Sequence, residues 1–204
     1  VRQTNDLRRI VDEFSKFARM PEPDRRDCDL AALVKGAVLL QENGQPSVRF
    51  VKSIPPGAVT MELDGTMIGQ ALTNLIKNAG EAIETQQEKG VKPGFVPEIR
   101  VTLAFDETEA LIRIMDNGTG LPPDGARLFE PYVTTRDKGT GLGLPIVKKI
   151  IEEHGGTLAL LDAPLFDGCD HPGAMAEIRL PRVSSRRPKT QILQENRPEK
   201  EVER

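Results

Sequence analysis

Two asparagines four residues apart, Asn74 and Asn78, are the first side chains in this sequence whose spacing suits chemistry. Residues with this spacing share one face of a helix, so both amides can approach the same ligand. A neutral amide oxygen can bind Mg²⁺ when phosphate oxygens and water complete the octahedron. Lys77 lies on the same turn, where its charge can offset that of phosphate. Taken alone, the pair is more often a solvated polar helix face.

A second motif, Asp116-Asn-Gly-Thr-Gly120, directly follows a predicted strand. Its glycines permit positive φ and a close approach of the backbone to a ligand. The Asp116 carboxylate can accept a hydrogen bond from an exocyclic amine such as that of adenine. The same residues are also an ordinary turn signal.

A third motif, the segment 139–144, opens a predicted helix and reads Gly-Thr-Gly-Leu-Gly-Leu. Backbone N–H groups at a helix N-terminus, together with the helix dipole, favour bound phosphate. The spacing differs from the dinucleotide-binding fingerprint, and the segment lacks the Gly-Lys-Ser/Thr of a Walker A loop.

A fourth segment, Phe129 to Arg136, reads Phe-Glu-Pro-Tyr-Val-Thr-Thr-Arg and lies inside a long loop without periodicity. Loops of this length in compact domains are usually functional. Its two aromatic side chains fit a hydrophobic loop anchor as well as a functional role. Arg136 and Lys138 are cations placed to reach phosphates.

Regular elements on both sides of these motifs must position them. Alternation predicts strands, and apolar spacing of three and four predicts helices, the longest with a continuous buried stripe from Met67 to Ile83. The predicted helices are Leu30–Gln41, with Asp29 as N-cap, Gly65–Gln86 and Leu142–His154. The predicted strands are Val48–Ser53, Val59–Glu62, Glu98–Phe105, Ala110–Met115, Thr157–Leu161 and Ala174–Leu180.

The two ends of the chain differ from the middle. Before Pro21, apolar residues from Leu7 to Ala18 recur at helical spacing, so a helix is expected to pack on this domain or in a bundle partly outside the sequence. After Arg182 the hydrophobic pattern fades into a charged tail, which predicts disorder.

Composition excludes several classes. The chain has 204 residues, a net charge of -3, no Trp and one Tyr, which predicts an aliphatic core and argues against a nucleic-acid surface. No apolar run is long enough to cross a bilayer. Cys28 and Cys169 lack metal-site spacing and are expected to be reduced thiols. Without an initiator Met or a signal-peptide pattern, the sequence reads as a fragment of a longer protein.

The four motifs, in this order, resemble the ATP-binding domain of sensor histidine kinases, in the Bergerat-fold ATPase and kinase superfamily. The wording from Phe129 to Leu144 is most similar to nitrogen-regulation sensor kinases of the NtrY type, and the resemblance covers residues 1–181. It implies an α+β, two-layer α/β sandwich with a mixed sheet and helices on one face. ATP would lie between the helices and a lid formed by residues 121–140.

The resemblance also divides the chain. Residues 1–22 would be the second helix of a dimerisation and phosphoacceptor hairpin whose first, histidine-bearing helix is absent. Residues 23–182 would be the ATP-binding catalytic domain, and 183–204 a disordered charged tail. The implied partners are ATP, the histidine-bearing hairpin and a response-regulator receiver domain, with no nucleic acid. The implied setting is a cytoplasmic fragment of a homodimeric inner-membrane sensor, and the fragment by itself could be a monomer.

By resemblance, Asn78 would hold Mg²⁺, and Asn74 and Lys77 would act with it at the phosphates. Asp116 would recognise adenine, and the glycines would shape the pocket. The residues expected to contact ATP or Mg²⁺ are Asn74, Asn78, Glu81, Asp116, Gly118, Gly120, Arg136, Lys138, Gly139, Thr140, Gly141, Leu142, Gly143 and Leu144.

The choice between kinase and hydrolase turns on Asn74. Superfamily ATPases carry a Glu there that activates water, whereas an asparagine amide cannot accept a proton at neutral pH. Transfer of the γ-phosphoryl group to an imidazole from outside the chain is therefore favoured. The alternatives are a nucleotide-binding regulatory module without turnover, a superfamily ATPase and, less well supported, a serine/threonine kinase of this superfamily.

Neither histidine is expected to be the phosphate acceptor. His154 ends a helix, where an imidazolium would suit the dipole, and is expected to be structural. His171 lies in a Gly/Pro loop and is expected to be solvated. The chain is therefore predicted to bind ATP with little autophosphorylation by itself.

Overall fold

The computed structural model describes residues 20–123, 125–132 and 141–182. The helices of this part of the chain are α1 (Leu30–Gly44), α2 (Gly65–Lys89), a short 3-10 helix (Gly125–Phe129) and α3 (Gly143–Glu153). The strands are β1 (Arg26–Asp29), β2 (Arg49–Ser53), β3 (Thr60–Leu63), β4 (Glu98–Phe105), β5 (Glu109–Asp116), β6 (Thr157–Asp162) and β7 (Ala174–Pro181). The predicted N-terminal helix and C-terminal tail lie outside the described residues.

Five strands form one mixed sheet in the order β2-β4-β5-β7-β6. β2 runs parallel to β4, and the other neighbours are antiparallel. β1 and β3 form a separate antiparallel pair. The expected α+β architecture with a mixed sheet is confirmed.

The three helices cover one face of the five-stranded sheet. On this face, alternate residues of β4, β5 and β7 lie side by side across the strands, as Val101, Ile114 and Ala176 do. These residues belong to the same buried cluster as the apolar side chains of the helices. The stripe of α2 predicted from the sequence is buried: Met67, Ile68, Ala71, Leu72, Leu75, Ile76, Ala79 and Ile83. This core is aliphatic, as the composition predicted.

The opposite face of the sheet is charged. Arg113 lies directly across from Glu177 in the register of β5 and β7, and the two side chains form an ion pair of 2.8 Å. Arg100 stacks 4.0 Å from the ring centroid of Phe166, which anchors the loop between β6 and β7 on this face. Because the loop is anchored there, it reaches the end of β5.

The predictions missed β1. Its sequence, Arg-Asp-Cys-Asp, is polar and lacks β-branched residues, so no local signal marks a strand. Pairing with β3 makes it one, because Cys28 lies opposite Met61 in the register. Strand structure here follows from long-range contact rather than from propensity.

His154 connects the last helix to the longest one. It is 3% exposed, and its Nε2 accepts a hydrogen bond of 3.0 Å from the backbone N–H of Asp64. Asp64 in turn caps α2, since its Oδ1 accepts from the N–H groups of Thr66 and Met67. The structural role expected for His154 is confirmed.

His154 is a neutral imidazole, although an imidazolium would suit the dipole of α3. Because Nε2 accepts a hydrogen bond, the ring is neutral, and Nδ1 carries the proton that it donates to the Ile150 carbonyl at 2.7 Å. Burial lowers the pKa of His154, and this outweighs the attraction of the helix dipole for a cation.

A pH-dependent stability follows from this neutral ring. Below pH about 6.5, the unfolded chain binds a proton at His154 that the folded chain excludes, so the free energy of unfolding falls as the pH falls. One such proton contributes a slope of at most about 1.4 kcal/mol per pH unit. In urea unfolding between pH 7.5 and 5.5, His154→Gln is expected to reduce this slope. An unchanged slope would show that His154 titrates alike in both states.

Candidate functional site

Asp116 ends β5 with a carboxylate that is 4% exposed. Its Oδ1 accepts hydrogen bonds from the N–H of Gly118 at 2.9 Å and of Ala174 at 3.4 Å. No donor among the described residues reaches Oδ2. Burial raises the pKa of Asp116 to about 6, so the group is mostly ionised at neutral pH. The result is a buried carboxylate with one oxygen left to accept a bond from a ligand.

The turn that follows lies directly on α2. A Cβ on Gly118 would be 2.5 Å from the backbone carbon of Ala82, so no other residue fits without a shift. The next residue, Thr119, donates its N–H to the Ala82 carbonyl at 3.3 Å. Gly120 has φ +71° and lies against the Pro172 carbonyl. Residues 116–120, hereafter the 116–120 turn, thus need glycine at both predicted positions.

Asn117, which the sequence analysis did not single out, fixes this turn to the start of β4. It is buried, and its Oδ1 accepts from the Glu98 N–H at 2.9 Å while its Nδ2 donates to the Val96 carbonyl at 2.8 Å. The only sequence signal was the general preference of Asn for turns that bond their own backbone surroundings. Its role is to hold the turn rather than to meet a ligand.

The two asparagines of α2 lie on the helix face that contacts this turn further along. Asn74, Asn78 and Ala82 are spaced by four and so form one row along α2, with the 116–120 turn resting on the last of them. Both asparagines are half-buried. On the neighbouring row, exposed Lys77 lies 3.7 Å from Glu81. The predicted metal and adenine residues therefore belong to one side of α2.

The N-terminus of α3 approaches the same part of α2. The C-terminal end of α3 is bonded to Asp64 at the start of α2, and the two helices pack together along their lengths, antiparallel to each other. Since α3 has 11 residues and both helices rise about 1.5 Å per residue, its first turn lies near Asn74. The glycine-rich start of α3 and the asparagine row therefore adjoin.

The first turn of α3 has the features of a phosphate site. Its N-cap, Leu142, is fully buried and makes no side-chain capping hydrogen bond. Backbone N–H groups at a helix N-terminus favour bound phosphate. The preceding Gly141 has φ +68°, and its carbonyl accepts from the Tyr132 N–H at 3.2 Å. Gly143 and Leu144 begin the helix itself.

The short 3-10 helix that ends at Phe129 packs on α3. Lys148 Nζ lies 5.1 Å from the centroid of the Phe129 ring, a cation–π contact. The hydrophobic-anchor and functional interpretations of this segment both stay predictions. Four predicted ligand-contacting residues, Arg136, Lys138, Gly139 and Thr140, lie outside the described residues, and their roles stay predictions.

His171, which was expected to be solvated, is only partly so. Its ring is part-buried, and Nε2 lies 3.0 Å from the carbonyl oxygen of Gly118 in the 116–120 turn. Nδ1 lies 2.9 Å from Asp170 Oδ1. No local sequence pattern pointed to this contact, because the two residues are 53 positions apart.

A cavity of about 1090 Å³ lies at the other end of α2 and is not part of this site. It is lined mainly by apolar side chains, among them Met20, Leu33, Met67, Ile146 and Ile150. Ala82, which carries the 116–120 turn, is about 25 Å away along the helix axis. Cys28, which lines this cavity, and Cys169 are free thiols.

The described residues of this site are hydrogen-bonding groups that suit a nucleotide, and they do not form a metal cluster. In the part of the chain that the structure describes, no three His, Cys, Asp or Glu side chains converge on one point. The described helices include none long and apolar enough to cross a membrane. The groups along this side of α2 are a buried acceptor, two amide side chains and the glycine-rich N-terminus of α3. They suit an amine, a divalent cation held with phosphates, and the phosphates themselves.

Comparison with known proteins agrees with this set of groups. Residues 63–184 match the family model described as histidine kinase-, DNA gyrase B-, and HSP90-like ATPase. The chain is 47% identical over 167 residues to nitrogen regulation protein NtrY of Azorhizobium caulinodans, covering 80% of this chain and 21% of that protein. It is 34% identical over 180 residues to a putative NtrY-like sensor histidine kinase of Rickettsia bellii, covering 88% of this chain and 27% of that protein.

Solved structures show the same fold. A mycobacterial sensor histidine kinase, MprB, superposes with a TM-score of 0.64 at 25% identity, covering 77% of this chain and 97% of that one. Full-length ShkA, solved in complex with AMPPNP, gives a TM-score of 0.68 at 23% identity over 88% of this chain and 36% of that one. The chain spans only about a fifth to a quarter of the length of the two NtrY-type relatives.

Proposed function

Because this chain belongs to the histidine kinase-, DNA gyrase B- and HSP90-like ATPase family, we propose that it is the ATP-binding catalytic domain of a two-component sensor histidine kinase. The observation that carries the proposal is Asp116, a buried carboxylate with Oδ2 open beside a turn that only glycine can make. The names of the NtrY-type relatives support the kinase assignment and a role in nitrogen regulation.

In this proposal, the adenine amine donates to Asp116 Oδ2 at the 116–120 turn. The triphosphate then runs along α2 towards its asparagine row and the first turn of α3. Gly141, Leu142, Gly143 and Leu144 would present backbone N–H groups to phosphate, which the helix dipole favours. Arg136 and Lys138 would add positive charge from the neighbouring loop.

Asn78 would hold Mg²⁺ through its amide oxygen. Bound Mg²⁺ supplies charge neutralisation on the phosphates. Asn74 lies one turn closer to the α2 N-terminus and would bond a phosphate oxygen or a water of the metal. Lys77, which pairs with Glu81 at 3.7 Å, would contribute a further cation at the same helix turn.

The nucleophile in this proposal is a neutral imidazole nitrogen on a helical hairpin of the parent protein. A new N–P bond forms to the γ-phosphorus, the bond to the bridging β–γ oxygen breaks, and ADP leaves with that electron pair. The ring proton then passes to solvent. The imidazole needs no strong base, and Asn74 offers none, so the protein contributes mainly positioning and charge neutralisation.

The wider setting is also part of the proposal. The parent is a homodimeric sensor of the inner membrane, this domain lies on its cytoplasmic side, and the phosphoryl group passes to the receiver domain of a response regulator. NtrY and the NtrY-like relatives are much longer than this chain, which supports a parent with further domains.

Replacing Asn78 by alanine tests the metal role. We expect the dissociation constant of ATP with Mg²⁺ to rise about tenfold, while the affinity for ATP in excess chelator changes little, because only the metal-dependent part of binding is lost. Gln87→Ala, an exposed amide later on α2, is the matched control. Titration calorimetry with and without Mg²⁺ makes the measurement. An unchanged Mg²⁺ dependence would remove Asn78 from the metal site.

Supplying the missing acceptor tests the reaction. The chain is mixed with the histidine-bearing hairpin of the parent and radiolabelled ATP, and acid-labile, base-stable label on the hairpin is expected. The chain alone should acquire little label, since neither His154 nor His171 is placed as an acceptor. ATP binding without transfer would indicate a regulatory module, and release of inorganic phosphate without labelling would indicate an ATPase.

A further inference from the structure

The loop before β7 also packs closely on the 116–120 turn, which rests on α2. Residues 169–173, hereafter the strap, approach it so closely that a Cβ on Gly173 would lie 1.8 Å from the Asp116 carbonyl oxygen. Pro172 places its carbonyl against Gly120, and the next residue after the strap, Ala174, donates to Asp116. The turn is therefore held between α2 and the strap.

Within the strap, His171 makes two contacts that both require a proton on the ring. Its Nε2 lies 3.0 Å from the Gly118 carbonyl, and its Nδ1 lies 2.9 Å from Asp170 Oδ1. A carbonyl and a carboxylate oxygen only accept, so each ring nitrogen must donate. Both contacts are satisfied at once only by the imidazolium.

The carboxylate partner is itself held in place. Lys92 Nζ lies 2.7 Å from Asp170 Oδ2, so the chain Lys92–Asp170–His171–Gly118 links the loop before β4 to the turn. His171 is 34% exposed, which leaves it open to solvent protons while its two contacts fix the ring. The network therefore has a defined geometry and an accessible titrating group.

The Gly118 residue is held from both sides by this arrangement. Its N–H donates to Asp116 Oδ1, and its carbonyl accepts from His171. Together these two bonds fix the orientation of Gly118. They thereby keep Oδ1 of Asp116 hydrogen-bonded to the turn and leave Oδ2 for a ligand. Gly118 therefore joins His171 to the Asp116 carboxylate.

We propose that His171, as an imidazolium, is a positioning residue of the nucleotide site that holds the Gly118 carbonyl and so keeps Asp116 Oδ2 directed at the base. This inference rests on the proposed function, because the site it acts on is the adenine site. It predicts that the affinity for adenine nucleotides depends on the protonation of His171, a side chain that does not itself contact the ligand.

The charged groups that face this histidine set the direction of the pH dependence. Asp170 is the main cause of a raised pKa for His171, opposed by burial and by Lys92. Asp116, bonded to the same glycine, has a pKa of about 6. Between these two titrations Asp116 is ionised and His171 is charged, so affinity is expected to peak there. It should fall as the pH rises through the pKa of His171.

The test compares the wild-type chain with His171→Gln across pH 6.5 to 9. Titration calorimetry with ATP and Mg²⁺ gives the dissociation constants. Protonation of ATP itself affects both proteins equally and so cancels in the comparison. For the wild type we expect the dissociation constant to rise threefold to tenfold with pH, the size of one lost hydrogen bond (about 0.5–1.5 kcal/mol). Glutamine can donate to the Gly118 carbonyl but does not titrate. The dissociation constant of His171→Gln should therefore lack the rise with pH that His171 causes in the wild type. Asp167→Asn, an exposed change in the same loop, should retain the wild-type profile.

A second readout does not depend on any variant. If protonated His171 favours binding, then saturating nucleotide must raise the pKa of His171 by the reciprocal amount, which NMR titration of the ring resonance measures. Identical pH profiles for wild type and His171→Gln, or a pKa of His171 unmoved by nucleotide, would overturn the inference and leave the proposed function standing. A wild-type chain that binds no nucleotide at any pH would overturn both.

Discussion

Replacing Asp116 by asparagine is expected to weaken ATP binding about a hundredfold while leaving the domain at least as stable as the wild type. The asparagine side chain would keep an oxygen at the Oδ1 position for the N–H groups of Gly118 and Ala174. It would present an N–H donor where Oδ2 stood, opposite the amine donor of adenine. A site with two facing donors discriminates strongly against its ligand.

The stability half of this prediction comes from the cost of burying charge. The pKa of Asp116 is about 6 in the folded chain against 3.8 for an unperturbed carboxyl. Because the pKa of Asp116 is raised in the folded chain, the protonated carboxyl contributes fully to the free energy of unfolding below pH 3.8. This contribution is lost as the pH rises through 6. At pH 7.5 the ionised group costs about 3 kcal/mol, so the asparagine variant can gain up to that amount.

Urea unfolding at pH 7.5 and 4.5, together with titration calorimetry, checks both halves. The gain in unfolding free energy should be present at pH 7.5 and should shrink at pH 4.5, where the wild-type group is protonated when folded. Asp162→Asn, an exposed carboxylate at the end of β6, is the matched control and should change neither quantity. Parallel losses of stability and affinity in the Asp116 variant would instead make Asp116 a structural residue.

Replacing Gly118 by alanine is expected to cost about 3 kcal/mol or more of unfolding free energy, the size of a severe overpacking or strain effect. The added Cβ would meet backbone atoms of Ala82 at 2.5 and 2.7 Å. Backbone in the middle of α2 cannot move aside as the end of a flexible side chain could. Relief requires lifting the turn off the helix, which also displaces Asp116.

Gly36→Ala is the matched control for this prediction. Gly36 lies in α1, is exposed, and has no atom within 4 Å of an added Cβ. The same substitution there should raise stability by about 0.5–1 kcal/mol, because alanine favours a helix. Chemical unfolding of both variants gives the comparison. A loss below about 1 kcal/mol for Gly118→Ala would mean that the turn does not rest on α2 as described.

The sequence alone was sufficient where the signal is local. The stripe of α2 from Met67 to Ile83, the cap at Asp29 and the pair β4 and β5 follow from spacing and alternation, and the structure confirms them. The motifs also placed Asp116 at a strand end, because a turn signal directly followed an apolar run.

The rest could not be predicted because it depends on distant partners. The neutral state of His154 is set by the N–H of Asp64, 90 residues away. Asn117 and His171 acquire their roles from β4 and from the 116–120 turn, and neither contact leaves a periodic trace in the sequence. Composition predicted an aliphatic core, but which polar groups would enter it was decided only by folding.

The arrangement of bonds on the Asp116 carboxylate has a consequence for the choice of nucleobase. Both backbone donors occupy Oδ1, so the buried opening beside the 116–120 turn presents a lone acceptor. Adenine offers an amine at that edge, whereas guanine offers a carbonyl oxygen, and two acceptors facing each other in a dry pocket repel. If adenine lies with its amine at Asp116 Oδ2, as proposed, guanine in the same orientation would place its carbonyl oxygen against the ionised carboxylate, so ATP would be favoured over GTP in that orientation. Below pH about 6 the protonated carboxyl would lose its charge, so the proposed bond from the adenine amine would weaken and this preference with it.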